Sequence, residues 1–180
     1  MPAMSDSSEG RESDQHRDPL TGAVTEPALL RFLDAVLGMT DANGPRVGML
    51  CLEVDGLGAL AAHHGLIVRN AVLLGIADRM HEKVRIQDLV GRVDDGFGIC
   101  LAEIFPAQAV GAAERLARAV RRAPIPTPVG ALPLTCSIGL VLSNGAGETA
   151  AMLMARARAL RDAARLAGGN AVRSALNPET

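Results

Sequence analysis

The sequence predicts one mixed α/β (α+β) domain, a mixed central β-sheet flanked by helices. Short apolar runs bounded by breakers, such as Val47 to Val54 and Thr135 to Leu142, have the length and composition of buried strands. Longer stretches place apolar residues three and four apart, which gives a helix one buried face. Asp94, Asp95 and Gly96 separate two further apolar runs by a very short turn, and hairpins mixed with helices imply a mixed sheet.

Met1 to Arg17 is rich in Ser, Asp, Glu and Gly, too poor in apolar surface to offset its ordering entropy, and is expected to be a disordered polar tail. The domain then spans 18–174, with 175–180 a C-terminal tail. Asp18 to Gly22 is turn-prone, and Thr25 offers an N-cap to a helix from Glu26 to Leu37, whose inner face is Leu29, Leu30, Phe32, Leu33 and Val36. After the loop Asp41 to Pro45 comes the strand Val47 to Val54. A short helical piece, Leu57 to His63, precedes a longer helix, Val68 to Val84, striped by Leu73, Ile76, Ala77 and Met80. Leu89 to Val93 and Phe97 to Leu101 form the hairpin. A helix from Pro106 to Arg122 turns Val110, Ala113, Ala117 and Val120 inward and Arg115, Arg118 and Arg122 outward. Thr127 to Leu134 and Thr135 to Leu142 make one or two strands. Glu148 to Ala167 is a helix stopped by Gly168 and Gly169, and a short strand near Val172 closes the order.

At 180 residues and 48% hydrophobic content, the chain suits a single well-filled core. A formal charge of −2 argues against a nucleic-acid partner, because duplex binders carry a net basic balance or a dense basic stripe. No membrane association is expected, since no apolar run is long enough to span a bilayer and no basic-then-apolar leader opens the chain; the expected location is cytoplasmic. Cys51, Cys100 and Cys136 lie in separate strand-like runs without metal or redox spacing and are expected as buried free thiols. Arg158, Arg161 and Arg165 read as a solvated basic helix face broken by Asp162.

Several landmarks, in order and at compatible spacing, carry a family resemblance. Asp18-Pro19-Leu20-Thr21-Gly22 looks like a DxLTG opening, and Leu52-Glu53-Val54-Asp55 is similar to LDxD. Gly65 holds the place of the glycine in NDxxGH, Ser137-Ile138-Gly139 matches SIG, and Arg165 to Asn170 resembles AKxxGRN. With Arg85-Ile86-Gln87-Asp88 as an RxxD motif ahead of the hairpin, the chain resembles the GGDEF, or diguanylate cyclase, family. The resemblance implies a nucleotide-cyclase-like fold with a ferredoxin-like core. In that family two GTP-loaded domains face each other, and Mg2+ helps one 3′-hydroxyl attack the other's α-phosphate.

Carried over residue by residue, that constellation is incomplete. Glu53 takes the place of the first metal aspartate, and the signature has lost a residue between Arg92 and Phe97. Matched from Phe97, Asp95 replaces the second metal acid and Gly96 the catalytic glutamate; matched from Arg92, Gly96 and Phe97 fall there. The guanine-reading asparagine and aspartate fall on Ala61 and Asn70, a phosphate-side lysine on Gly58 and a terminal arginine on Gly169. The inhibitory site for cyclic di-GMP is complete by contrast, in Arg85, Asp88 and Arg115. Arginine offers a planar fork to phosphate oxygens or the guanine O6/N7 edge, and aspartate accepts from guanine N1 and N2.

The expected function is therefore that of a catalytically inactive member, a cyclic di-GMP receptor in bacterial second-messenger signalling. The ligand, as a stacked dimer, would sit on Arg85, Asp88 and Arg115, and an unidentified protein would take up the signal; a homodimer is one state the resemblance allows. No cofactor is required, and Mg2+ enters only with residual cyclase activity at the weak metal candidates Glu53 and Asp95. Arg85 and Asp88 also fit a plain surface ion pair. Two further readings stay open: a protein-interaction domain using Leu57 to Val68, and a weak diguanylate cyclase.

Overall fold

The computed structural model describes residues 16–40, 44–145 and 147–176. Helix α1 (Glu26–Leu37), strand β1 (Arg46–Val54), helix α2 (Leu57–His81), strands β2 (Leu89–Val93) and β3 (Gly96–Ile104) and helix α3 (Pro106–Arg121) are followed by short strands β4 (Ile125–Thr127) and β5 (Gly130–Leu132), strand β6 (Cys136–Leu142), helix α4 (Ala150–Leu166) and strand β7 (Ala171–Ala175). The main sheet has the order β2-β3-β1-β6-β7. Strand β1 is antiparallel to β3 and β6, and β2 to β3, whereas β6 and β7 run parallel. The sheet is mixed, as expected. The segment expected as a strand from Thr127 instead makes a separate hairpin of β4 and β5, with β6 starting at Cys136.

Side-chain alternation along β1 builds a core on each face. Val47, Met49 and Cys51 pack with Leu29 and Leu33 of α1 and Leu153, Met154 and Ala157 of α4. Leu50, Leu52 and Val54 join Val72, Leu73, Ile76 and Met80 of α2, Leu116 and Val120 of α3, and Phe97. Large side chains such as Phe97, Leu29 and Ile76 are fully buried, each contributing about 1.5–3 kcal/mol of transfer free energy. Cys51, Cys100 and Cys136 are buried free thiols, and burial pushes each up to about 12.

Helix α2 joins the two expected helical pieces, and Gly65, at φ 83° and ψ 178°, breaks its helical backbone where they meet. Contrary to expectation, α2 is long and apolar enough, by length and composition, to cross a bilayer. Its buried residues Val72, Leu73, Ile76 and Met80 nevertheless belong to the sheet's core. Thr25 stands at the N-cap of α1, but its side chain makes no capping bond; its N–H donates to the His16 carbonyl at 2.8 Å. The Val24 N–H donates to the Val90 carbonyl at 3.1 Å and the Arg92 N–H to the Val24 carbonyl at 2.8 Å, so the opening segment covers the free edge of β2. Of the expected tails, residues 1–15 and 177–180 lie outside the described residues, while His16 and Arg17 already bond within the domain.

One close approach decides where α4 lies. A Cβ built on Gly139 of β6 would stand 2.0 Å from the Ala157 carbonyl oxygen and 2.4 Å from the Arg161 nitrogen. Only glycine lets the α4 backbone rest on the sheet there. Gly139→Ala is expected to lower stability by about 1–3 kcal/mol, as overpacking does. A chemical-denaturation midpoint unchanged by this substitution would contradict the close approach.

Candidate functional site

The segment joining α2 to β2 carries Arg85 and Asp88, and backbone hydrogen bonds shape it. The Asp88 N–H donates to the Arg85 carbonyl at 3.1 Å, and the Arg85 N–H donates back to Asp88 Oδ2 at 3.0 Å. Asp88 Oδ1 accepts the Ala102 N–H at 3.2 Å, so this carboxylate pins the turn to β3. Arg85 is exposed, and its Nη1 reaches the Glu103 carbonyl at 3.5 Å. Among the described residues its guanidinium pairs with no carboxylate, Asp88 included, so the simple surface ion pair is not the observed arrangement.

Arg115 projects from the outer face of α3 with Arg118 and Arg122, as the helical stripe predicts, and all three are exposed. Among the described residues it makes no hydrogen bond to Arg85 or Asp88. The inward stripe is Ala109, Ala112, Ala113, Leu116, Ala117, Ala119 and Val120; Val110, expected inward, is exposed. A residue missed in the sequence holds this helix in place. The buried Arg79 of α2 donates from Nη1 to the Ala119 and Val120 carbonyls at 3.2 and 2.7 Å, and from Nη2 to the Pro124 carbonyl at 3.2 Å. It satisfies carbonyls that the C-terminal turn of α3 leaves without helical partners.

At its other end the hairpin is tight. Val93 pairs with Gly96 and Arg92 with Phe97, leaving Asp94 and Asp95 as a two-residue tip with Asp94 at φ 51°. Phe97 lies fully in the core, with the Arg92 guanidinium 5.3 Å from its ring centroid. A Cβ on Gly96 would stand 1.9 Å from the Leu52 carbonyl oxygen, so the backbone of β1 already fills the space a side chain at 96 would need. Matched from Phe97, this is the position that the resemblance gives to the catalytic glutamate.

The two weak metal candidates are directed to different partners. Asp95 pairs with Arg69 of α2, and its side chain is 65% exposed. Glu53 of β1 faces α4, with Oε2 3.5 Å from Arg161 Nε and Oε1 3.8 Å from Arg165 Nε. The acid that shares a partner with Glu53 is Asp94, whose Oδ2 accepts from Arg161 Nη1 at 2.8 Å and from Arg158 Nε at 3.0 Å. Asp55 turns to other work, accepting from Thr135 Oγ1 at 2.6 Å, Ser137 Oγ at 2.7 Å and the Asn170 N–H at 2.8 Å. It ties β1 to β6 and to the turn before β7.

The α4 arginines therefore correct the sequence reading. Arg161 is 7% exposed, bonded to Asp94 and, from Nε and Nη2, to Asp162 at 3.1 and 2.9 Å. Asp162 completes the cluster instead of breaking it. Arg158 spans from Asp94 to Glu26 at the start of α1, 2.7 Å away. Burial alone would raise the Asp94 carboxyl, but hydrogen bonds and charge from Arg158 and Arg161 outweigh it and hold the group below the usual carboxylate range. The signal available in the sequence was spacing: Met154, Ala157, Arg161 and Ala164 are all buried on α4, so Arg161 falls on the core stripe.

With this geometry in hand, comparison with known proteins is specific. The family described as diguanylate cyclase, GGDEF domain, matches residues 15–171. The bifunctional diguanylate cyclase/cyclic di-GMP phosphodiesterase MucR of Pseudomonas aeruginosa is 29% identical over 143 residues, covering 79% of this chain and 21% of that protein. The diguanylate cyclase SiaD of Pseudomonas aeruginosa, solved in complex with its activator SiaC, superposes with a TM-score of 0.84 at 27% identity, over 93% of this chain and 64% of that one. The coiled coil and GGDEF domain of DgcB from Caulobacter crescentus, solved in complex with c-di-GMP, shares the fold with a TM-score of 0.84 at 19% identity, over 93% and 89% of the two chains. The chain spans about a fifth of the length of the curated relatives it matches.

The Asp94 cluster predicts an acid-side effect. A carboxyl depressed by folding contributes stability that is present above its unfolded value and is lost as pH falls through its folded one. The stability difference between the wild type and Asp94→Asn, measured by denaturation, should be widest near neutral pH and close below about pH 4. A difference independent of pH would contradict the pairing.

Proposed function

The chain belongs to the GGDEF family, and we propose that within cyclic di-GMP signalling it acts as a receptor domain that binds the dinucleotide without making it. The observation that carries this reading is that Arg85 and Arg115 are exposed cations with no carboxylate partner among the described residues, whereas Arg69, Arg158 and Arg161 are all paired. Two guanidinium forks without a carboxylate partner suit phosphate oxygens and the guanine O6/N7 edge. Asp88, held by two backbone N–H groups, keeps a further lone pair on each oxygen for guanine N1–H and N2–H donors. The DgcB complex with c-di-GMP supports this choice of ligand.

The loss of synthesis rests on different residues. Gly58, Ala61, Asn70 and Gly169 stand where the resemblance requires phosphate- and guanine-binding groups, and a glutamate at 96 would meet the β1 backbone. Catalysis by positioned charge fails when most of the charged groups are gone. No cofactor is then required, and a cytoplasmic location goes with the role.

A second reading concerns the partner. Leu66 and Ile67 beside the Gly65 break, and Leu74 further along α2, are exposed at 68%, 74% and 43%. Such a surface suits a protein that takes up the signal, and SiaD, bound to its activator SiaC, is a related case.

Calorimetry tests the reading. Arg85→Ala and Arg115→Ala should each weaken cyclic di-GMP binding roughly 10- to 100-fold, the loss of charge-assisted hydrogen bonds worth about 1.5–3 kcal/mol. Arg118→Ala, one turn along the same exposed face, should bind as the wild type does. Absence of binding at tens of micromolar ligand, or binding undiminished in Arg85→Ala, would refute the receptor role. Product from GTP and Mg2+ above a Glu53→Ala control would favour the weak cyclase.

A further inference from the structure

The family resemblance implies Mg2+ on the face that carries Glu53, and the donors present do not fit it. Magnesium needs near-octahedral oxygen ligands and gives up its water reluctantly, so it requires carboxylates free to approach it. Among the described residues no three His, Cys, Asp or Glu side chains converge on a common ion position. Asp95 is spent on Arg69 and Asp55 on two hydroxyls and a backbone N–H. Glu53 and Asp94 share the guanidinium of Arg161.

We infer that Arg161 is a built-in cation that takes the place of a divalent metal, tying β1 to the hairpin tip and making this face metal-independent. Three features carry the inference. The Arg161 side chain is only 8% exposed, and it makes direct or near contacts with Asp94, Asp162 and Glu53. Its place is fixed from behind, because the α4 backbone at Arg161 rests on Gly139. Arg158 and Arg165 add two further guanidiniums around the same acids, with Arg158 extending to Glu26. A guanidinium is more weakly hydrated than a small divalent ion, and its planar fork bonds several carboxylate oxygens at once. A metal between Glu53 and Asp94 would have to displace that buried charge or sit beside it, and either is unfavourable.

The inference is independent of ligand binding at Arg85. Its test uses the whole chain and Mn2+ as the probe, followed by the electron paramagnetic resonance signal of the free ion and by thermal melting. The wild type and Arg161→Lys, which keeps the charge, should leave the free Mn2+ signal undiminished at millimolar metal and melt at the same temperature with and without it. Arg161→Met should melt lower in metal-free buffer and regain part of the loss with millimolar Mn2+, and adding Glu53→Gln to that variant should abolish the regain. Uptake of Mn2+ by the wild type that disappears in Glu53→Gln would overturn the inference. So would a folded Arg161→Met that stays indifferent to Mn2+. Should Arg161→Met fail to fold, the wild type and Arg161→Lys decide: indifference in both supports the built-in cation, and uptake by either refutes it.

Discussion

The Glu53 and hairpin-tip end of the candidate site depends on the contact of the α4 backbone with Gly139 of β6. Because residue 139 has no Cβ, the Ala157 to Arg161 turn lies directly on the sheet. Arg161 then falls on the buried stripe of α4, with its guanidinium directed at Glu53 of β1 and at the hairpin tip. The tip, in turn, is bonded through Arg158 to the first turn of α1. One missing methyl group thus positions two helices, one central strand and one hairpin. Buried ion pairs of this kind contribute more to positioning than to net stability, since desolvation offsets much of their attraction.

The hairpin is held at both ends by charged side chains that do different work. At its base Asp88 accepts two backbone N–H groups, an arrangement that shapes the turn and leaves the neighbouring Arg85 guanidinium outside it. At its tip the acids are matched by arginines from α2 and α4. Exposed cations without a carboxylate partner among the described residues include Arg85 at the base and Arg115 and Arg118 on the outer face of α3, a helix that Arg79 fastens to α2 through the Ala119 and Val120 carbonyls. Under the proposed reading, that asymmetry suits recognition of an anionic dinucleotide at the base and opposes a metal ion at the tip, where the arginines already match the acids.

Much of the fold was legible because it follows from period and punctuation. The bounds of α1 and β2 coincide with expectation, and Leu73, Ile76, Ala77 and Met80 are buried as their spacing predicts. What stayed hidden depends on neighbours distant in sequence. Arg161 was read as solvated because charge outweighed its position on the stripe, and its partners Glu53 and Asp94 lie 108 and 67 residues away. Arg79 escaped notice for the same reason. The block at Gly96 comes from the backbone of an adjacent strand, which no pattern within the hairpin can reveal. Asp88 was legible as a motif residue, but its bond to the Ala102 N–H depends on the pairing of β2 with β3.

The most direct measurement is NMR of the arginine Nε–H groups during titration with cyclic di-GMP, because it reads both ends of the hairpin in one experiment. The Arg85 and Arg115 resonances should shift with ligand, while those of Arg158 and Arg161 stay in place and remain protected from exchange with water. Shifts at Arg158, Arg161 or Arg165 with Arg85 and Arg115 silent would contradict the receptor site and place the nucleotide at the hairpin tip instead.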